Sequence, residues 1–340
     1  MSASERYSRQ VRFEPIGEAG QARLSGSSVV IVGLGALGSV VADQLARAGV
    51  GRLKLIDRDF VELSNLQRQT LYDEEDVRLN LPKAVAAQRK LRRINSTIEV
   101  ATVVDDLNPS NVEEHIDGAD LVLDAVDNFE TRFVLNDACR KLGLPWIYSA
   151  AVGSYGLVLP ILPESVCLRC VVDVLPAPGS SPTCDTAGVI APITNLVASI
   201  EVSEALRILV GAFDPRDVRL ISVDVWERRF HTLRMSPDVG KSCPLCVGGR
   251  FDYLDGNPMR TITLCGRNAV QLIPGVRASL DLDEMGKTLE VFGPVQTNEF
   301  LLKCQNPPYE LTLFRDGRAI IKGTEKASTA RSVYSRMVGL

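Results

Sequence analysis

The sequence is poor in histidine, in net charge and in uninterrupted apolar runs, and each shortage argues against a class of function. Its 340 residues include two histidines, His115 and His231. Neither lies in a motif, so a mechanism that depends on histidine is not expected. The formal net charge is −4, which argues against a general nucleic-acid binder. The most membrane-like stretch, residues 188–210, contains a proline, two glutamates and an arginine, so we expect a soluble core helix and no membrane span.

The N-terminal residues, Met-Ser-Ala-Ser-Glu-Arg, also lack the apolar core of a signal peptide, and the cytoplasm is the expected location. In a reducing compartment, disulfide bonds are rare. The eight cysteines therefore point to metal binding or catalysis before disulfides.

The strongest local pattern is a strand, a glycine turn and a helix over residues 29–48. The turn has the form G-x-G-x-x-G and consists of Gly33, Gly35 and Gly38. Such a turn lets backbone N–H groups approach a phosphate at a helix N-terminus. A second strand, residues 52–56, runs into Asp57, which lies 19 residues past the last glycine, close to the spacing of a ribose-binding carboxylate. The chain therefore opens with a nucleotide site, but the glycines do not identify the nucleotide.

A polar stretch, residues 59–69, follows the second strand directly. The carboxyl edge of an open α/β sheet lines the ligand crevice, so Asp59 and the residues after it are expected there. Asn65 and Arg68 are three residues apart and share one face of a helical turn. Arginine suits bidentate contact with phosphate. The alternative is a capped turn exposed to solvent.

Lys83 and Asp127 are two further candidates. Pro82-Lys83 is predicted to open a helix, where the cation either faces a bound anion or is simply exposed. A predicted strand leads to Asp127 and Asn128 at its carboxyl end, and a helix is predicted over residues 129–142. Asp127 either caps that helix or holds Mg²⁺ beside a triphosphate.

Two C-x-x-C pairs predict a structural zinc site. The pairs are Cys167–Cys170 and Cys243–Cys246, 73 positions apart. Four thiolates complete a tetrahedral zinc site, so this zinc would not be catalytic. A redox dithiol is the alternative, but it would need only one pair.

Residues 173–188, between the two pairs, are rich in proline, glycine and serine and are predicted to form a loop. Cys184 lies on this loop. A cysteine there is either a nucleophile that carries an acyl group or an incidental exposed thiol.

Residues 251–340 are predicted to form a small α+β domain after a first domain of residues 1–250. Its expected elements are a strand at 261–264, a helix from Asn268, a strand at 290–292, strands at 300–304, 309–315 and 319–322, and a closing helix at 328–338. It contains no cluster of ligands or catalytic pairs, and Cys265 and Cys304 are interpreted as packed thiols. We interpret the domain as a module for protein binding or oligomerisation.

The ordered motifs over residues 5–247 resemble the ThiF/MoeB/HesA family, the bacterial relatives of ubiquitin-activating enzymes. The motifs are Arg-Tyr-Ser-Arg-Gln at 6–10, the glycine turn, the strand end at Asp57, Ser-Asn-Leu-Gln-Arg-Gln at 64–69, Pro-Lys at 82–83, Asp-Asn at 127–128, both C-x-x-C pairs and the segment from Thr183 to Pro192. The resemblance implies an α/β fold. The fold implied by the resemblance has a Rossmann-like ATP-binding domain with a mostly parallel sheet, an antiparallel extension and four-cysteine zinc knuckles.

The resemblance also implies a reaction: ATP-dependent adenylation of the C-terminal Gly-Gly carboxylate of a ubiquitin-like or sulfur-carrier protein, giving an acyl-AMP and pyrophosphate. The implied site residues are Asp57 at the ribose, the glycine turn beside the α-phosphate, Asn65, Arg68 and Lys83 at the phosphates, and Asp127 at Mg²⁺. Arg9 resembles an arginine that reaches into the partner's site in a homodimer, and Cys184 occupies the position of the family's conditional cysteine. The attacking carboxylate is already ionised, so the site needs charge neutralisation and alignment but no general base.

Three other functions compete with this interpretation. The first 57 residues alone would allow an NAD-dependent oxidoreductase, but Asn65, Arg68 and Lys83 suit a triphosphate better. A non-catalytic scaffold subunit would be expected to lack part of that charged set. Adenylation of a peptide or a modified-nucleoside carboxylate stays open.

The sequence departs from the family pattern in two places. The stretch between Arg68 and Lys83 is two residues longer than the commonest spacing, and the C-terminal domain has no rhodanese pattern.

Overall fold

The computed structural model describes residues 3–173, 183–255, 259–264, 268–275, 278–298 and 301–339. The strands are β1 Ser28–Val32, β2 Arg52–Ile56, β3 Glu99–Val103, β4 Leu121–Asp124, β5 Trp146–Val152, β6 Tyr155–Ile161, β7 Arg219–Asp224, β8 Arg229–Arg234, β9 Arg260–Leu264, β10 Ala269–Ile273, β11 Val295–Thr297, β12 Leu301–Asn306, β13 Tyr309–Phe314 and β14 Ala319–Lys322. The helices are α1 Ala3–Arg6, α2 Ser8–Val11, α3 Gly17–Gly26, α4 Ala36–Ala48, α5 Glu74–Arg78, α6 Lys83–Ile94, α7 Val112–Ile116, α8 Phe129–Leu142, α9 Leu168–Val171, α10 Cys184–Ala187, α11 Ala191–Leu209, α12 Asp252–Asp255, α13 Leu282–Leu289 and α14 Ala327–Val338. Short 3₁₀ helices lie at Leu63–Asn65, Pro237–Ser242 and Glu290–Phe292.

The first sheet has eight strands in the order β3-β2-β1-β4-β5-β6-β7-β8. The first five run parallel, and β6, β7 and β8 extend the sheet in antiparallel fashion. Apolar residues fill β1 and β4, which are buried as expected for central parallel strands covered by helices on both faces. The predicted α/β fold with a mostly parallel sheet and an antiparallel extension is confirmed.

The strand order changes direction at β1, which lies between β2 and β4. Val32, at the end of β1, pairs with Ile56 on one side and with Asp124 on the other. The three carboxyl ends are therefore level, and the loops that follow them open onto one crevice. This alignment brings together the glycine turn, Asp57 and the loop that carries Asp127.

A second sheet is antiparallel, with the order β11-β12-β13-β14-β10-β9, and belongs to the C-terminal part of the chain. Two expectations for this part are wrong. The predicted helix from Asn268 is strand β10, in which Val270 and Leu272 alternate into the core between β9 and β14. The predicted strand at 290–292 is a 3₁₀ turn that continues α13, in which the N–H of Gly293 donates back to the carbonyl oxygen of Glu290 at 3.2 Å. The other predicted elements, including the closing helix, are confirmed within one or two residues.

The two sheets are joined by a shared core. Tyr253 lies against Phe133 of α8, with ring centroids 4.6 Å apart, and the Tyr253 N–H donates to the buried carboxylate of Asp137 at 3.0 Å. Cys304 is buried as predicted, whereas Cys265 and residues 174–182 of the predicted loop lie outside the described residues. Among the helices described, none is both long and apolar enough to cross a bilayer.

Candidate functional site

The glycine turn after β1 depends on the missing side chains of two glycines. Gly33 has a φ of +87°, and a Cβ atom there would lie 2.5 Å from the carbonyl oxygen of Ala125. A Cβ on Gly38 would lie 2.0 Å from the carbonyl oxygen of Gly33. The turn therefore packs tightly against the loop after β4, and only glycine allows its backbone to line the crevice closely.

Asp57 fastens the glycine turn to the loop after β2. Its carboxylate accepts hydrogen bonds from the N–H of Leu34 at 2.6 Å and from the N–H of Asp59 at 2.7 Å. Burial raises the pKa of Asp57, while the nearby Lys83 ammonium opposes that rise. Each carboxylate oxygen has a second lone pair, so the group can still accept a hydrogen bond from a sugar hydroxyl.

Lys83 is a buried cation that faces several carboxylates in the crevice. It begins α6, is 7% exposed, and its Nζ lies 3.2 Å from Oδ2 of Asp59. Burial disfavours the charged form, but the carboxylates of Asp59, Asp57 and Asp127 outweigh it and raise the pKa of Lys83. Although burial acts against ionisation of Asp59, Lys83 and Arg58 lower its pKa to about 2. Both groups are therefore charged at neutral pH.

The polar stretch after β2 curls into a 3₁₀ turn that places Asn65 and Arg68 on the crevice wall. Asn65 is buried, and its Oδ1 accepts a hydrogen bond from the N–H of Glu62 at 3.1 Å. Arg68 donates to the carbonyl oxygen of Ser64 at 2.9 Å. The next residue, Gln69, was missed by the sequence analysis: it is 3% exposed, lines the crevice, and its Oε1 has no hydrogen-bond partner among the described residues.

Asn128, not Asp127, caps the helix that follows β4. The Asn128 Oδ1 accepts a hydrogen bond from the N–H of Thr131 at 2.9 Å. The capping interpretation of Asp127 is therefore wrong, and its exposed carboxylate faces the crevice near Lys83. The loop itself is held from below by Arg132, which donates to the Val126 carbonyl at 2.7 Å and to the buried carboxylate of Asp124 at 3.0 Å.

Cys184 lines the same crevice. It begins α10, whose N-cap is Thr183, with a reciprocal capping box to Thr186. The Cys184 Sγ donates to the carbonyl oxygen of Ala151, at the end of β5, at 3.2 Å. The described part of the loop therefore brings this thiol to the crevice that the nucleotide residues line.

The four cysteines of the two C-x-x-C pairs come together as predicted. Their sulfur atoms lie within 4.8 Å of one another, at 3.7 Å for Cys167–Cys170, 3.6 Å for Cys167–Cys243 and 3.5 Å for Cys170–Cys246. A zinc ion with Zn–S bonds of about 2.3 Å requires sulfur separations of roughly 3.8 Å in a tetrahedron. The donor set therefore fits zinc, with all four positions filled by protein.

Arg9 does not line the crevice of its own chain. It lies on α2 and is exposed. The remaining predicted residues of the nucleotide site line one cavity of about 860 Å³, together with Thr183 and Cys184. The exceptions are Gly38, which is packed beneath the turn, and Arg9.

The C-terminal helix α14 also lines this cavity, which no sequence pattern predicted. Ser332 Oγ donates to Oδ1 of Asp59 at 3.0 Å, across 273 positions of sequence. The adjacent Arg331 donates to Asp106 at 3.3 Å, and Asp106 also accepts from Arg58 at 2.5 Å. No local pattern in residues 327–338 signals these contacts, because they arise only when the two sheets pack together.

Comparison with known proteins gives consistent results. A model of the ThiF family matches residues 7–245. The chain is 44% identical to the "Sulfur carrier protein ThiS adenylyltransferase" of Bacillus subtilis over 337 residues, covering 98% of this chain and 99% of that protein. It is 38% identical to the "SAMP-activating enzyme E1" of Haloferax volcanii over 253 residues, covering 74% of this chain and 92% of that protein. Among solved structures, E. coli MccB matches with a TM-score of 0.62 and 26% identity, covering 76% of this chain and 74% of that one.

Proposed function

The chain belongs to the ThiF family, and from that premise we propose that it adenylates the C-terminal carboxylate of a ubiquitin-like or sulfur-carrier protein that ends in Gly-Gly. The observation that carries the proposal is the grouping of Lys83, Asp57, Asp59 and Asp127 around a glycine turn in one cavity. Names of two similar proteins, a ThiS adenylyltransferase and a SAMP-activating enzyme, support the substrate class. Family membership also removes the reason for considering an NAD-dependent oxidoreductase.

In the proposed reaction, a carboxylate oxygen of the carrier attacks the α-phosphorus of ATP. The bond from that phosphorus to the oxygen that bridges it to the β-phosphate breaks, and pyrophosphate leaves.

Lys83 and Arg68 reduce the repulsion between the carboxylate and the triphosphate, and Asn65 orients the phosphates. Asp57 holds the ribose, and the Gly33–Gly35 backbone approaches the α-phosphate. Asp127 is the proposed ligand for Mg²⁺, which would neutralise charge on the leaving pyrophosphate; Asn128 supports it by fixing the loop.

Two further parts belong to the same proposal. Zinc held by Cys167, Cys170, Cys243 and Cys246 would be structural, since no coordination position is left for a reactant. The chain would act as a homodimer in which Arg9 of each subunit completes the partner's site, which its exposed position on α2 allows. The division into residues 1–250 and 251–340 and a cytoplasmic location stay predictions from the sequence.

Cys184 is proposed to accept the activated acyl group after adenylation. Its thiol sulfur would attack the acyl carbonyl carbon, AMP would leave, and a thioester would form. The Cys184→Ala variant should retain adenylation and lose the transfer step. Full downstream transfer at an unchanged rate by that variant would remove Cys184 from the mechanism.

The test is ATP–pyrophosphate exchange with purified enzyme and a panel of small carrier proteins that end in Gly-Gly. We expect exchange that depends on one carrier and disappears when its terminal glycine is deleted. Exchange with a short peptide or a nucleoside carboxylate, and with no carrier, would instead support the alternative substrates. Absence of exchange with every substrate, in protein that binds ATP, would support a scaffold role.

A further inference from the structure

The cavity that contains the nucleotide residues also contains one face of a helix from the C-terminal part of the chain. Ser328, Thr329, Ser332 and Arg336 of α14 line it, as do the glycine turn and Cys184. Ser328, Ser332 and Arg336 follow one another at four-residue spacing, and Thr329 lies three residues before Ser332, so the four positions share one face of the helix. The cavity is thus bounded by residues that lie on both sides of position 250.

Two polar contacts, one helical turn apart, hold α14 against other residues of the cavity. Ser332 bonds to Asp59, the partner of Lys83. One turn later, the hydroxyl of Thr183 donates to the carbonyl oxygen of Arg336 at 2.9 Å. Thr183 is the residue that caps the short helix carrying Cys184. One turn of α14 therefore contacts both the aspartate that pairs with Lys83 and the residue that precedes the thiol.

An extended carrier tail would have to occupy this space. Its terminal carboxylate must reach the α-phosphate, and each preceding residue adds roughly 3.3–3.6 Å of extended chain. A diglycine tail has no side chains, so the cavity can contact only its backbone. The backbone N–H and C=O groups need hydrogen-bond partners once they leave water. Hydroxyl groups are suitable partners because each both donates and accepts, and small side chains let a backbone approach closely.

We infer that α14 is the wall against which the carrier tail binds, with Thr329 and Ser332 as specificity-determining residues for that tail; this inference rests on the proposed function. The helix lies at residues 327–338, beyond the family match, which ends at residue 245. The Haloferax volcanii protein matches over only 253 residues, 92% of its length. The wall therefore adds carrier selection in this chain to a nucleotide site that the family match contains in full.

The experiment is a comparison of Thr329→Leu with Thr288→Leu. Thr329 faces the cavity, whereas Thr288 is an exposed residue on α13 of the same C-terminal part and does not line it. The carrier found by the exchange panel is titrated to obtain its KM, and ATP binding is measured separately by calorimetry. We expect Thr329→Leu to raise the KM for the carrier by about tenfold or more, with ATP affinity and the control variant within about twofold of wild type.

A milder pair, Thr329→Val and Thr288→Val, keeps side-chain size and removes only the hydroxyl. This pair replaces the leucine pair in the same KM measurement if the leucine variant folds poorly, as judged by its melting temperature and zinc content. A rise of about two- to fivefold in carrier KM for Thr329→Val alone is expected.

Three results would overturn the inference. The first is an unchanged carrier KM in both Thr329 variants, and the second is a loss of ATP affinity large enough to explain the reduced exchange. The third is faster exchange, which would mean that α14 restricts access to the site. Failure of the proposed function gives a different result, since wild-type enzyme itself would then show no carrier-dependent exchange.

Discussion

Lys83 Nζ lies 3.2 Å from Oδ2 of Asp59, and this ion pair joins the start of α6 to the loop after β2. Because Lys83 is buried and also faces Asp57 and Asp127, it balances three carboxylates. A bound triphosphate would add more negative charge at the same place. The lysine is therefore central both to the charge balance of the crevice and to the proposed binding of ATP.

Replacement of Lys83 by methionine should lower ATP–pyrophosphate exchange by about 10²–10³-fold, because it removes one preorganised positive charge from the transition state. Lys90→Met is the matched control: Lys90 lies on the same helix, and its ammonium pairs with Asp73 and Asp76 away from the cavity. Exchange at the wild-type rate by Lys83→Met would contradict the proposed role.

Asp127 and Asn128 are adjacent but should behave differently when mutated. Asn128→Ala removes a helix cap and should lower the free energy of unfolding by about 1 kcal/mol. Asp127→Asn should leave the melting temperature nearly unchanged and raise the Mg²⁺ concentration needed for half-maximal exchange by at least about tenfold. Denaturation and a Mg²⁺ titration of both variants check this. An unchanged Mg²⁺ requirement in Asp127→Asn would rule out the proposed ligand.

Arg9 in trans predicts complementation between inactive variants. Arg9→Ala and Lys83→Ala should each be inactive as homodimers. After subunit exchange, a mixed dimer keeps one intact site, made of Lys83 from one subunit and Arg9 from the other. Because about half of the dimers are mixed in an equal mixture, activity should return to roughly a quarter of wild type. No recovery, with mixed dimers demonstrated by mass spectrometry, would exclude action in trans.

The cysteine cluster predicts about one zinc ion per chain. Cys243→Ser should lose the metal and lower the melting temperature, since the ion joins the segments after β6 and β8 and stabilises only the folded state. The metal content is measured by elemental analysis, before and after chelation. Cys184→Ser is the control and should keep its zinc, because Cys184 lies outside the cluster. A zinc content unchanged in Cys243→Ser would disprove the assignment.

Asp137 makes stability depend on pH at the junction of the two sheets. Burial raises its pKa to about 6, although the Tyr253 N–H and Arg169 favour the ionised form. Between about pH 4 and 6 the folded protein keeps this proton where the unfolded chain has lost it, so unfolding free energy falls as pH rises. Relative to Asp137→Asn, wild type should lose roughly 1–3 kcal/mol over that range.

Urea denaturation at several pH values measures this difference. Asp252→Asn is the matched control, because Asp252 bonds to the same Arg169 and this contact lowers its pKa. Its contribution is present above its unfolded pKa of about 4 and is lost as pH falls, which is the opposite sign. Parallel profiles for wild type and Asp137→Asn would show that the carboxyl group has no such effect.

Local patterns in the sequence are enough to predict the first βαβ unit and the residues next to it. The run into Gly33, the strand that ends before Asp57 and the proline that precedes Lys83 each express a preference of a few neighbouring residues. Strand ends in a parallel sheet lie at a common edge, so the sequence alone predicts that these side chains lie together. The zinc site can also be predicted from the sequence, because a tetrahedral zinc ion needs four cysteines and so accounts for the presence of two C-x-x-C pairs.

Contacts between distant parts of the chain are decided only by the tertiary structure. Nothing near Ser332 indicates that its hydroxyl reaches Asp59, 273 positions away. The alternation at Ala269–Ile273 is too short to identify a strand, and one of its two partners, β14, is distant in sequence. Periodicity and spacing act over a few residues, whereas the packing of α14 depends on how two whole sheets bury their apolar faces together.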